Sequence, residues 1–257
     1  MISAFLRGGL GNQMFQIATT IAVATDNGDR YAFPFDNPVA MQGNVASTYK
    51  HNVYSKLREI TPLWKPQTIW KENNEPYHPI VYSDNMLLDG YFQTEKYFKD
   101  YKDLIVDIFT HKSTTQKLKE QYDAILQNSV AIHVRRGDYV KIGECLDLSY
   151  YYKALNLLWQ TVDFKDILVF SDDIKWCREN FLTHDKRVTY IDDLKDYERM
   201  YLTGLCPYII CANSSYAWWG AYLNQNPQKL VYMPKPWTTS ICDDIYPEGA
   251  IIIEYLK

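Results

Sequence analysis

The second half of the chain constrains the fold most tightly. From Ser129 onward, short apolar runs alternate with longer stretches of helical periodicity. Strands are predicted at 130–134, 167–170, 188–191, 208–211 and 230–233, and helices at about 150–160, 174–181, 197–205 and 216–223. This rhythm builds an α/β fold with a parallel sheet covered by helices on both faces. Such sheets take ligands beyond the carboxyl ends of their strands, so the residues that follow each strand are the ones to read for chemistry.

The first half is less regular. Residues 2–6 read as a buried strand, Gly8-Gly9-Leu10-Gly11 as a tight turn, and 12–27 as a helix with Phe15, Ala18 and Ala22 on one side, which together make a β-turn-α unit. Residues 31–33 suit a further strand. Residues 34–85 are rich in Pro, Asn, Tyr and Trp without clear periodicity, and such long loop content fits a specificity element better than a core. Gly90-Tyr91-Phe92-Gln93 precedes a helical pattern from Thr94, with helices at about 102–109 and 113–127.

A chain of 257 residues can build one large or two modest domains with real cores. The net charge of -4, with no basic run longer than Arg135-Arg136, lacks the footprint of a nucleic-acid binder. Aromatics reach 15%, including 22 Tyr and 7 Trp, which suits sugar-binding surfaces as well as an aromatic core. The cysteines Cys145, Cys177, Cys206, Cys211 and Cys242 are odd in number and mostly set in apolar or helical runs, which points to a reducing compartment. The opening residues are too short an apolar stretch for a signal peptide, and no run approaches the ~18 apolar residues of a membrane span. A cytoplasmic protein is expected.

Three predicted strand ends carry polar groups in sequence. The first runs into Arg135-Arg136-Gly137-Asp138-Tyr139. Arg presents a rigid fork of donors that grips phosphate oxygens in pairs, Gly137 permits a sharp turn beside it, and Asp138 can hold one guanidinium in place. A structural Arg–Asp pair fits the same residues. The second strand ends in Ser171-Asp172-Asp173, where Ser171 or Asp172 can cap the next helix, or a carboxylate can accept hydrogen bonds from guanine or a ribose. The third ends in Ala212-Asn213-Ser214-Ser215 before a helix whose free N–H groups favour an anion. Together the three describe a nucleotide site. The Gly9-Leu10-Gly11 turn is not a dinucleotide fingerprint, because Met14 stands where the third small residue belongs. The sequence contains no Asp-x-Asp, no Gly-Lys-Ser/Thr ending a Gly-rich run and no ligand spacing among its His, so metal-independent chemistry is expected.

Three segments carry a family resemblance: Gly8-Gly9-Leu10-Gly11-Asn12-Gln13, His133-Val134-Arg135-Arg136-Gly137-Asp138-Tyr139, and Asn213-Ser214-Ser215-Tyr216-Ala217-Trp218-Trp219-Gly220. In this order they resemble the bacterial α-1,2-fucosyltransferases of glycosyltransferase family 11. Weaker matches at Gly90-Tyr91-Phe92-Gln93 with Tyr97-Phe98, Phe170-Ser171-Asp172-Asp173 and Pro234-Lys235-Pro236-Trp237 extend the likeness over nearly the whole chain.

The resemblance implies a GT-B-like architecture of two Rossmann-like lobes with a cleft between them, an inverting reaction, GDP-fucose as donor and no cofactor or required metal. The lobes are drawn at 1–128 on the acceptor side and 129–257 on the GDP-sugar side. By similarity His133 and one of Asp172 or Asp173 contact guanine, Arg135 or Arg136 the β-phosphate, and Ser214 or Ser215, beside Asn213, the diphosphate. Asn12 and Gln13 face the fucose and phosphates from the opposite lobe. Negative charge grows on GDP as the fucose C1–O bond breaks, and fixed Arg forks stabilise it preferentially in the transition state.

A carboxylate with a raised pKa is the natural base for the galactose 2-hydroxyl, with Asp138 first and Glu144 second. The segment Lys141-Ile142-Gly143-Glu144-Cys145 departs from the family's His-Gly-type pattern and bears on the acceptor. The expected acceptor is a galactoside-containing glycan, free or lipid-linked; a lipid-linked one would draw the enzyme to the inner membrane face. Competing readings are the same fold with another GDP-sugar, and a non-catalytic glycan- or nucleotide-binding module.

Overall fold

The computed structural model describes residues 1–36, 43–61, 63–73, 76–239 and 241–255. The chain divides into two units, Met1–His111 with Cys242–Pro247, and Lys112–Ile241 with Glu248–Lys257.

The first unit comprises β1 (Ser3–Ala4), α1 (Leu10–Asp26), β2 (Thr68–Lys71), β3 (Met86–Asp89) and α2 (Lys102–Phe109). Its three strands are parallel in the order β1-β3-β2. The expected strand at 2–6 shrinks to β1, and the one at 31–33 leaves only isolated bridges, Ile2 to Tyr31 and Phe33 to Glu59. The helical pattern from Thr94 forms two short 3-10 turns, Glu95–Tyr97 and Lys99–Tyr101. α1 is buried on nearly all sides, from Met14 and Phe15 to Ala24.

The irregular stretch 34–85, of which 37–42, 62 and 74–75 lie outside the described residues, holds more of the core than its loop content leads one to expect. Phe35, Tyr49, Val53 and Tyr54 are each at most 1% exposed, and Phe35 stacks on Tyr54 with centroids 5.6 Å apart. Aromatic rings packed through isolated turns bury area without leaving a period in the sequence.

The second unit follows the predicted rhythm: α3 (Lys112–Leu126), β4 (Ser129–Val134), α4 (Gly137–Ile142), α5 (Leu148–Thr161), β5 (Asp166–Ser171), α6 (Ile174–Asn180), β6 (Val188–Tyr190), α7 (Asp196–Leu205), β7 (Tyr208–Ile210), α8 (Ser215–Tyr222), β8 (Leu230–Lys235) and β9 (Ile251–Glu254). Only α4 and β9 were not anticipated. The six strands are parallel in the order β6-β5-β4-β7-β8-β9. The chain therefore builds outward from β4 to β6, then crosses back to start β7 on the other side of β4. That is the doubly wound Rossmann order, whose switch point lies between β4 and β7.

Register places the three polar strand ends side by side. Val134 pairs with Ser171, and Ile132 with Ile210. Helix approach is set by small residues: a Cβ on Gly204 would stand 3.0 Å from the Gly220 carbonyl, and one on Gly220 would stand 2.9 Å from Thr203 Cγ2. α7 and α8 can thus pack closely enough for Thr203 to sit beneath the end of β4.

Candidate functional site

At the carboxyl edge of β4 the two arginines are held by carboxylates from β5 and α4. Arg135 Nη1 pairs with Asp172 Oδ2 at 2.7 Å, and its Nη2 donates to Asp138 Oδ1. The backbone N–H of Arg136 donates to Asp172 Oδ1 at 2.9 Å, its Nε reaches Asp173 Oδ2 at 3.4 Å, and its guanidinium lies 3.4 Å above the Trp176 ring. One carboxylate, Asp172, therefore orients both the side chain of Arg135 and the backbone of Arg136. These side chains are 20–39% exposed, so the pairs add little stability and act chiefly to aim the forks.

Two details revise the reading of the motif. Gly137 has no left-handed backbone; instead a Cβ there would stand 2.4 Å from Asp172 Oδ2, so the glycine is needed for close approach rather than for a sharp turn. The helix cap after β5 is neither Ser171 nor Asp172 but Asp173, whose carboxylate accepts from Trp176 N at 3.2 Å while its own N–H donates to Ser171 Oγ.

His133 is buried at the end of β4, stacked on Phe170 with centroids 5.2 Å apart and met edge-on by Tyr216. Its Nε2 lies 2.9 Å from Thr203 Oγ1, whose single proton goes to the Arg199 carbonyl. Nε2 must then carry the ring proton, leaving Nδ1 as an acceptor. Burial, with the Arg199 charge beside it, lowers the His133 pKa to about 3, so the ring is neutral.

Beyond β7, Ser214 occupies the cap position of α8, and both Ser214 and Ser215 are half-buried. Asn213 is fully buried; its Nδ2 donates to the Glu144 carbonyl at 2.9 Å, its carbonyl accepts from Tyr139, and its Oδ1 has no partner. Asp138 keeps its second oxygen, Oδ2, buried and without a donor. Glu144 is 8% exposed, and its Oε1 accepts twice from Thr239, at 2.6 Å from the hydroxyl and 3.3 Å from the backbone.

In the first unit the Gly8–Gly11 turn is gripped by side chains of α1. Gln16 closes a two-way clamp on the Arg7 backbone at 3.0 and 3.1 Å. Gln13 is buried, donates to the Gly8 and Asn44 carbonyls at 2.9 Å each, and accepts from the Tyr54 hydroxyl. Asn12 Oδ1 accepts from Gln93 Nε2 at 2.7 Å.

The sequence profile of glycosyl transferase family 11 matches residues 1–240. The chain belongs to glycosyl transferase family 11. An alpha-1,2-colitosyltransferase of Escherichia coli is 28% identical over 92% of this chain and 92% of its own length. The human galactoside alpha-(1,2)-fucosyltransferase 1 is 26% identical over 86% of this chain and 65% of its own length. Among solved structures, NodZ alpha-1,6-fucosyltransferase soaked with GDP-fucose superposes with a TM-score of 0.51 at 12% identity, covering 86% of this chain and 92% of that one. This glycosyltransferase therefore has a GT-B-like α/β fold built on parallel sheets.

Within the family 11 chain, the second unit brings His133, Arg135, Arg136, Asp138, Asp172 and Asp173 together at adjacent strand ends. Asn213 and Glu144 meet each other behind that edge. Sequence reading gave no role to Thr203, Trp176 or Gln93; Trp176 three positions after Asp173 was the signal that an arginine there could stack. Among the described residues no helix is long and apolar enough to cross a membrane, and all five cysteines are free.

Proposed function

We propose that this family 11 enzyme is an inverting α-1,2-fucosyltransferase that moves fucose from GDP-fucose to the 2-hydroxyl of a terminal galactose on a glycan. The observation that carries the reading is the pair of carboxylate-aimed arginines at the switch point of a doubly wound sheet. A fork held in place before the reaction stabilises charge as it develops on the leaving diphosphate without reorganising. Neutral His133, with Nδ1 as acceptor, and the Asp172/Asp173 carboxylates suit the N–H edge of guanine. The first turn of α8 at Ser214 and Ser215 offers donors to a phosphate.

Of the two carboxylates considered as base, Glu144 is taken up by Thr239, whereas Asp138 retains an oxygen without a donor. Asp138 carries that role in this reading while its other oxygen steers Arg135. We assign donor binding to residues 129–257 and the acceptor side to residues 1–128. The acceptor is read as free or lipid-linked, handled in the cytoplasm or at the inner membrane face.

The likeness to a colitosyltransferase favours a second reading with the same chemistry, in which the sugar lacks fucose's 3-hydroxyl. Incubation with lactose-type acceptors and GDP-fucose, GDP-mannose, GDP-colitose or UDP-galactose, with the product linkage assigned by NMR, separates the two. An α-1,2-linked fucosyl product supports the first reading. Transfer from GDP-colitose alone replaces it with the second, and transfer from UDP-galactose alone defeats both.

A further inference from the structure

We propose that Arg199 is a specificity-determining residue for the donor's base: its guanidinium reads the O6 and N7 acceptors of guanine beside His133. The proposal rests on the reading of this edge as a guanine-nucleotide site.

Arg199 lies in the first turn of α7 and is half-buried. Its Nη1 donates to the Ser171 carbonyl at the end of β5 over a long 3.3 Å, and its buried Nε–H has no acceptor. Among the described residues Arg199 makes no ion pair, although acidic residues surround it in the sequence. Those neighbours are engaged elsewhere. Glu198 Oε2 accepts from the Lys195 N–H at 2.9 Å, Asp196 Oδ1 from the Tyr197 N–H at 2.8 Å, and Asp192 pairs with Arg178 at 2.6 Å. Asp172 and Asp173, which follow Ser171, are turned to Arg135 and Arg136. A guanidinium cannot shed its charge, so holding one half-buried with so few acceptors is unfavourable until something supplies them.

Its position indicates which acceptors fit. Register sets Ser171 beside Val134, one residue past His133, whose ring is stacked on Phe170. The Arg199 charge acts on that ring, and the Arg199 carbonyl accepts the Thr203 proton that fixes the His133 tautomer. The Tyr216 hydroxyl, donating to the Asp196 carbonyl, ties the start of α7 to α8. An acceptor, His133 Nδ1, and a donor fork, Arg199, therefore belong to one fixed edge. Guanine offers the complement: an N1–H beside O6 and N7, the acceptor pair that an arginine fork takes bidentately. Adenine presents an amino donor where O6 stands, and uracil has no second acceptor next to its carbonyl for the fork.

The test is calorimetric titration of the full-length wild type, Arg199→Met and Arg199→Lys with GDP, 7-deaza-GDP and inorganic pyrophosphate, beside thermal melts. The wild type should bind GDP roughly tenfold more tightly than 7-deaza-GDP, which lacks the N7 acceptor. Arg199→Met should bind GDP about ten- to a hundredfold more weakly, bind GDP and 7-deaza-GDP alike, and keep its affinity for pyrophosphate. Its thermal midpoint without nucleotide should not fall, since the variant removes an under-satisfied charge. Arg199→Lys should recover only part of the GDP affinity, because an ammonium lacks the fork.

A folded Arg199→Met that keeps the wild-type affinity for GDP, or that still prefers GDP to 7-deaza-GDP, would overturn the proposal. Equal losses for GDP and pyrophosphate would put Arg199 on the diphosphate and overturn it as well. A wild type that binds no guanine nucleotide would instead sink the donor reading on which the proposal stands.

Discussion

At the carboxyl edge of β4 in the second unit, charged donors are aimed by charged acceptors, whereas at the start of α1 in the first unit, neutral amides are aimed by other amides and by backbone carbonyls. Arg135 and Arg136 face Asp138, Asp172 and Asp173, while Asn12, Gln13 and Gln16 are fixed by Gln93, Gly8, Asn44 and Arg7. The first arrangement can respond to a large change of charge. The second provides shape, since an amide is strong only where its direction is fixed. The two kinds of site should therefore fail differently when broken.

The largest effect is expected on activity from the charged edge. Arg135→Ala should lower kcat by about 10²–10³, by analogy with loss of one oxyanion donor, while shifting the thermal midpoint little because its ion pairs are part-exposed. Arg135→Lys should rescue poorly, since an ammonium lacks the fork. Steady-state kinetics beside thermal melts would check both.

Next is Gly137→Ala. The added methyl must displace Asp172, and with it the aim of both arginines. A drop of about tenfold to a hundredfold in kcat/KM is expected with the fold retained; unchanged kinetics would show that the Asp172 geometry is dispensable.

The amide side should answer in stability. Gln13→Ala removes the hydrogen bonds to the Gly8 and Asn44 carbonyls and from the Tyr54 hydroxyl and should cost about 1–3 kcal/mol, read as a lower urea midpoint. If it instead abolished turnover at unchanged stability, Gln13 would belong with the arginines and the contrast would break.

At neutral pH the smallest effect is expected at His133, and it grows as pH falls. The folded pKa of His133 is depressed from 6.5 to about 3, so the unfolded chain binds the extra proton between those values. The stability held by neutral His133 is thus complete above about pH 6.5 and is lost as pH falls toward 3. His133→Gln should flatten that slope, which denaturant titrations at several pH values would reveal.

The contrast also explains what was legible. In the second unit, strands buried on both faces leave apolar runs, and helices leave a 3.6-residue period, so the predicted elements fell within a few residues of those observed. Parallel register then puts the residues after β4, β5 and β7 together without further information. The sharing of Asp172 between two arginines was not legible, because it depends on the missing Cβ of Gly137. Neither was the Thr203 partner of His133, set by the close approach of α7 and α8 at Gly204 and Gly220.

In the first unit, β1 spans two residues, and much of the core is aromatic rings on irregular backbone, which carries no period. The pairing of Gln93 with Asn12 joins residues 81 positions apart through a left-handed phenylalanine, which no local pattern announces.

The central claim is that the carboxylate-aimed arginines hold a guanine-nucleotide diphosphate. It is tested most directly by the thermal midpoint of wild type and Arg135→Ala with and without GDP. At about 100 times its dissociation constant, GDP should add roughly 2.7 kcal/mol to the wild type, and most of that gain should vanish in the variant. A folded wild type whose midpoint ignores GDP, or an Arg135→Ala variant that keeps the full shift, would contradict the account.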